Sequence, residues 1–160
     1  MPSPLPPMAE ITVRRADSPA DRAACYAIRA EVFAREQGVR GAEKGDSDDQ
    51  TAIHALALAD GIPAGTGRLH VMRTRDGLEG QIAWVSVLPQ YRHMGAATAV
   101  MWHLMSAARE LRLPYVVLSA QTYAKALYER FGFQATSAPY LMANIEHQVM
   151  VAHLAPEEDA

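Results

Sequence analysis

The stretch Ser86–Leu113, SVLPQYRHMGAATAVMWHLMSAARELRL, decides how this chain folds. It enters as a strand and halts at Pro89, because proline cannot donate to a ladder. After Gly95 the pattern changes period. Ala97, Met101, Leu104, Met105, Ala108 and Leu111 recur on one side of a helix that starts near Met94. A strand that runs into a helix through a glycine-centred turn leaves the first helical N–H groups without intrahelical partners. Those groups and the helix dipole together attract an anion. Gly95, Ala96 and Ala97 keep the turn bare, Arg92 adds a forked cation, and Thr98 offers a hydroxyl. A plain strand–helix turn with an incidental arginine has the same pattern, so the turn alone does not choose. A Walker lysine motif and GxGxxG are both missing, which argues against nucleoside triphosphates and nicotinamide cofactors.

Upstream, EITVRRA (Glu10–Ala16) alternates as a first strand. Ser18-Pro19 then caps a helix that carries Cys25, Ile28, Val32 and Phe33 on one side and ends near Gly38. An acidic loop follows. TAIHALALAD and PAGTGRLHVMRT read as strands, Asp76-Gly77 as a hairpin signal, and GQIAWVSVLP as the returning strand. Downstream, PYVVLSA is a buried strand, and QTYAKALYERFG is a helix stopped by Gly132. Two last strands lie around FQATSAPYL and IEHQVMV. The order β-α-β-β-β-α-β-α-β-β makes an α+β protein with a mixed sheet.

The 160 residues suffice for one domain, which should span residues 10–155 between a flexible Pro-rich lead (1–9) and an acidic tail (156–160). The net charge of −3 gives no footprint for nucleic acid or for an anionic membrane surface. Apolar runs all fall short of the roughly 20 residues that span a bilayer. The lone Cys25 sits on an apolar helix side and reads as core, and a single cysteine suits a reducing, cytoplasmic setting. No metal-ligand cluster emerges.

Six short stretches carry a resemblance. VSVLPQYRHMGAATAVMWHLM resembles the acyl-CoA-binding signature of the GNAT superfamily of N-acetyltransferases, with Val87-Leu88-Pro89 followed by Arg92-His93-Met94-Gly95-Ala96-Ala97. AKALYERFGF resembles that family's late helix, with Tyr128 before Gly132-Phe133. IRAEVFAREQGV, IHALA, GTGRL and IEHQVM resemble its ElaA/YjcF-like branch. Two departures stand out: His93 replaces the family's usual glycine, and Trp84 stands where the branch often has a basic residue.

The resemblance implies a mostly antiparallel sheet flanked by helices, and transfer of an acetyl group from acetyl-CoA to a primary amine of a small molecule or peptide. It implies a strand around Trp84–Val87 that splays from its neighbour. Val85, Ser86 and Val87 would meet the pantetheine arm there, while residues from Arg92 through Thr98 would hold the diphosphate. Gln121 stands where relatives contact CoA, or it caps a helix. Tyr128 is the candidate acid for the departing thiolate; its residues alone also fit a core tyrosine. Candidate bases are Glu36, His54 and His147. Asp46, Asp48 and Asp49 either attract a cationic acceptor or form a solvated loop. No metal is expected, and the exposed late strands leave a monomer or a homodimer open. Two other functions stay open: a non-catalytic acyl-CoA-binding domain and an acyl-homoserine-lactone-synthase-like acyltransferase.

Overall fold

A computed structural model describes residues 8–41 and 45–154. The expected lead up to Pro7 and the acidic tail lie outside the described residues. The chain order is β1 (Ile11–Arg15), α1 (Pro19–Arg29), β2 (Ile53–Ala59), β3 (Ile62–Thr74), β4 (Gly77–Val87), α2 (Ala96–Glu110), β5 (Tyr115–Gln121), α3 (Lys125–Glu129), β6 (Gln134–Ala135), β7 (Tyr140–Met142) and β8 (Ile145–His153). One sheet carries the strands in the order β1-β2-β3-β4-β5-β8-β6, with β7 on β8 beside that path. All pairings are antiparallel except β4 with β5.

The period of two in β2 sorts its side chains onto opposite faces. Leu56 and Leu58 pack with Cys25 and Ile28 of α1. Ala55 and Ala57 pack with Val100, Met101 and Leu104 of α2. One helix therefore covers each face. Helix α2 lies close because β3 carries Gly67: a Cβ there would stand 2.8 Å from Val100 Cγ1 and 3.1 Å from Leu104 Cδ1. Ser18 caps α1 by accepting from the Asp21 N–H, as its position before Pro19 suggests.

The structure corrects several expectations. The first helix does not run unchanged to Gly38; it widens into a π-helical segment, Ala30–Glu36. The buried stripe of α2 starts at Ala96 and Val100 rather than at Ala97, and Leu111 is 46% exposed. Strand β5 runs on through Gln121, so α3 shrinks to five residues after a 3₁₀ turn over Thr122–Ala124. The expected strand FQATSAPYL is split into β6 and β7. Pro139 lies between them, where a ladder donor would be missing.

Candidate active site

The site begins as a defect in β4. Gly65 and Thr66 of β3 pair with Val87 and Ser86, but Arg68 pairs with Ala83, so Trp84 and Val85 together face Gly67. This is a β-bulge, which bends a strand and re-aims its side chains. Trp84 absorbs the bend with φ +60°, unusual for a bulky residue. Strand β4 pairs with β5 only at Gly80–Val116 and Gln81–Val117. Past that point the two strands diverge, while β5 stays paired to β8 from Tyr115 to Gln121. The gap opens into a cleft of about 1080 Å³.

Helix α2 points its N-terminus at this cleft. Gly95 caps it with φ +86° and no side-chain hydrogen bond. That left-handed conformation suits glycine, and the uncapped start leaves its first N–H groups to a ligand. Gly95, Ala96, Ala97 and Thr98 line the cleft, as do Arg92 and His93; Met94 does not. His93 also has positive φ, +64°. Val85, Ser86 and Val87 line the cleft as well. The Ser86 hydroxyl donates to the Trp84 carbonyl at 3.1 Å, and the Val87 carbonyl accepts from Arg92 Nε at 3.1 Å.

Tyr128 lines the cleft and is 8% exposed. Its ring packs edge-on to Phe133, at 6.2 Å between centroids. Burial pushes the phenol pKa well above its ordinary value, and the nearby Tyr123 adds to this. His147 lines the cleft too. Its Nδ1 lies 2.7 Å from the Ile145 carbonyl, and its ring stacks on Tyr140 at 5.9 Å. A carbonyl only accepts, so Nδ1 carries a proton, and in the neutral ring the lone pair is left on Nε2. Gln121 and His147 face each other across β5 and β8.

The other two candidate bases sit elsewhere. His54 is 1% exposed, is not part of the cleft wall, and places Nε2 2.9 Å from the Asp49 carbonyl. Burial lowers its pKa, which keeps the ring neutral. It is a buried strut rather than a base. Glu36 also lies off the cleft wall and is engaged by Arg92 through two 2.8 Å bonds. That pairing raises the Arg92 pKa.

The acidic loop is not merely solvated. Asp46 caps a 3₁₀ turn, Ser47–Gln50, and Asp49 closes a reciprocal capping box with it. The Asp49 carboxylate, 1% exposed as a residue, receives Arg29 at 2.9 and 3.2 Å and Arg68 at 2.7 Å. Burial would raise its pKa, but the bonds from Arg29, Arg68 and the Asp46 N–H overcome that and hold it far below the carboxylate range. The Arg29 guanidinium stacks over Trp84 at 4.7 Å, and Phe33 meets the indole edge-on at 5.1 Å. The bulge is thus held from beneath by a buried charge network. The sequence reading missed this, though Cys25, Arg29 and Phe33 fall four apart on the apolar side of the helix. No cluster of three or more His, Cys, Asp or Glu suited to a metal ion occurs among the described residues. Among them, too, no helix is long and apolar enough to cross a membrane.

The acetyltransferase (GNAT) family model matches residues 20–133. This chain belongs to the GNAT family. Its relatives in that family include the Bacillus subtilis protein named as the uncharacterized N-acetyltransferase YjcF, 31% identical over 127 residues, covering 79% of this chain and 88% of that protein. An acyl-CoA N-acyltransferase from Pseudomonas aeruginosa superposes with a TM-score of 0.72 at 29% identity, covering 90% of this chain and 99% of the other. Escherichia coli ElaA shares the fold, with a TM-score of 0.75 at 23% identity and coverage of 91% and 100%. The GNAT sheet, mixed but mostly antiparallel, and the acyltransferase class follow for this chain.

Proposed function

We propose that this GNAT protein transfers an acetyl group from acetyl-CoA to a primary amine by direct attack, and that it works in the cytoplasm as a single domain over residues 10–155. One observation carries the reading: the splay of β4 from β5 brings the uncapped start of α2, Tyr128 and His147 to one cleft. The donor set fits an acyl-CoA. Main-chain N–H groups at Gly95–Thr98 and the Arg92 guanidinium suit a diphosphate. The unpaired edge of β4 at Val85–Val87 suits an arm bearing amides. The acyl-CoA N-acyltransferase relative supports the same donor class.

Acetyl-CoA, when bound, supplies a thioester whose carbonyl carbon is open to an amine. Edge N–H groups of β4 would stabilise the carbonyl oxygen as it gains charge. His147 Nε2 takes the proton that the incoming ammonium must lose. Tyr128 donates a hydrogen bond to the departing sulfur. Its raised pKa keeps the phenol protonated, and a thiol ordinarily titrates near about 8.5, so Tyr128 steadies the thiolate rather than surrendering its proton. Bonds and protons balance: the C–N bond forms as the C–S bond breaks, the nitrogen loses one proton through His147 before attack and a second after it, and that second proton goes to solvent or to the departing thiolate.

A thiol-release assay over a panel of primary amines tests the reading. Turnover with acetyl-CoA and at least one amine supports it. CoA-thioester binding with no turnover on any amine favours a non-catalytic acyl-CoA-binding domain. A marked preference for long-chain thioesters favours the homoserine-lactone-synthase-like chemistry.

A further inference from the structure

Two side chains that line the cleft, Arg92 and Gln121, already have partners, and those partners are consecutive residues. The Arg92 guanidinium fork holds both oxygens of Glu36 at 2.8 Å. The Gln121 amide exchanges hydrogen bonds with Gln37, at 2.7 and 3.2 Å. Arg92 lies in the turn leading to α2, and Gln121 at the end of β5. The end of the π-helical segment therefore reaches both sides of the splay. We infer that Glu36 and Gln37 act as a strap that occupies the acyl-CoA contacts in the unliganded protein, so that cofactor loading is an exchange and Glu36 sets its affinity.

The physical case has three parts. First, the strap's charged hold is cheap to give up. The Arg92 and Glu36 side chains are 35% and 37% exposed, and exposed ion pairs contribute little. A diphosphate carries more charge and matches the same fork. Second, Glu36 cannot stay where a diphosphate arrives, because two anions would share one cation. Its carboxylate is an internal competitor, and the fraction of molecules with Arg92 unoccupied scales the apparent affinity. Third, the segment can move. It is π-helical, a rare geometry that recurs at functional sites, and Gly38 at φ +72° and Gly41 at φ +83° follow it. Val32 and Phe33 of the same segment and Gln37 at its end line the cleft, so the exchange also re-sets the wall that an acceptor meets.

The inference rests on the acyl-CoA reading, and the test separates the two. Free CoA is titrated calorimetrically into the wild-type protein, Glu36→Gln, Gln37→Ala, Arg92→Ala and the Glu36→Gln/Arg92→Ala double variant. Amide hydrogen exchange is followed over residues 30–40 with and without CoA. Glu36→Gln and Gln37→Ala should each tighten CoA binding by about two- to fivefold. The Glu36→Gln effect should vanish when Arg92 is absent. CoA should make amides between Val32 and Gly38 exchange faster, the reverse of ordinary ligand protection. Unchanged or weaker binding by Glu36→Gln, or slower exchange in that segment, overturns the strap while leaving the acyl-CoA reading intact. If wild-type protein does not bind CoA, both fall.

Discussion

Two arginine–carboxylate pairs flank the bulge in β4, alike in chemistry and opposite in setting. Arg29–Asp49 has side chains 1% and 2% exposed and lies beneath Trp84. Arg92–Glu36 has side chains 35% and 37% exposed and stands at the cleft mouth. Each carboxylate is gripped by both terminal guanidinium nitrogens of its arginine. Desolvation makes the first pair a fixture, because neither charge has water to return to. Water keeps the second pair exchangeable. A site that must hold its shape and also admit an anion needs one of each.

Breaking the fixture is the largest effect expected. Arg29→Ala should cost about 3–5 kcal/mol of stability by leaving Asp49 buried without that partner. Glu36→Ala should shift stability by no more than about 1 kcal/mol. Denaturant melts of the two variants check the contrast, and equal losses would erase it. Inside the cleft, His147→Gln should lower kcat about 10²-fold. Tyr128→Phe should lower kcat about tenfold while leaving acetyl-CoA affinity nearly unchanged, since the lost hydrogen bond forms mainly as the sulfur departs. A parallel fall in affinity would make Tyr128 a packing residue.

Acid probes the same contrast without mutation. Asp49 titrates near its ordinary 3.8 when unfolded and well below that when folded. In that interval the unfolded chain binds more protons, so stability is full above it and falls as pH drops through it. His54 adds loss of the same sign from higher pH, because burial depresses its folded pKa below the ordinary 6.5. Melting temperature should therefore decline from about neutral pH downward, and Asp49→Asn should remove the steepest low-pH portion. A melting temperature independent of pH between 3 and 7 would contradict the buried network.

How much of this was readable beforehand depended on whether the signal was local. The strand–turn–helix around Gly95 was legible because period, glycine and proline act within a few residues. So were the flanking strands and the cap at Ser18. Met94 illustrates the limit: it is central to the motif, yet it does not line the cleft, because direction at a turn depends on φ rather than on order. The bulge at Trp84 was invisible, since nothing in a lone tryptophan announces positive φ. The partners of Arg92 and Arg29 come from 56 and 20 residues away, and only folding reveals such pairs. His54 and His147 look alike as strand histidines. Their difference, one sealed against the Asp49 carbonyl and the other on the cleft wall, is a matter of which face β2 and β8 present.

The central claim is that the turn into α2 grips an acyl-CoA. Calorimetric titration of acetyl-CoA into the wild-type protein and Arg92→Ala tests it most directly. The account predicts one saturable site per wild-type chain and binding weakened about tenfold or more in the variant. No saturable heat in the wild-type protein, or identical affinity without Arg92, would contradict it.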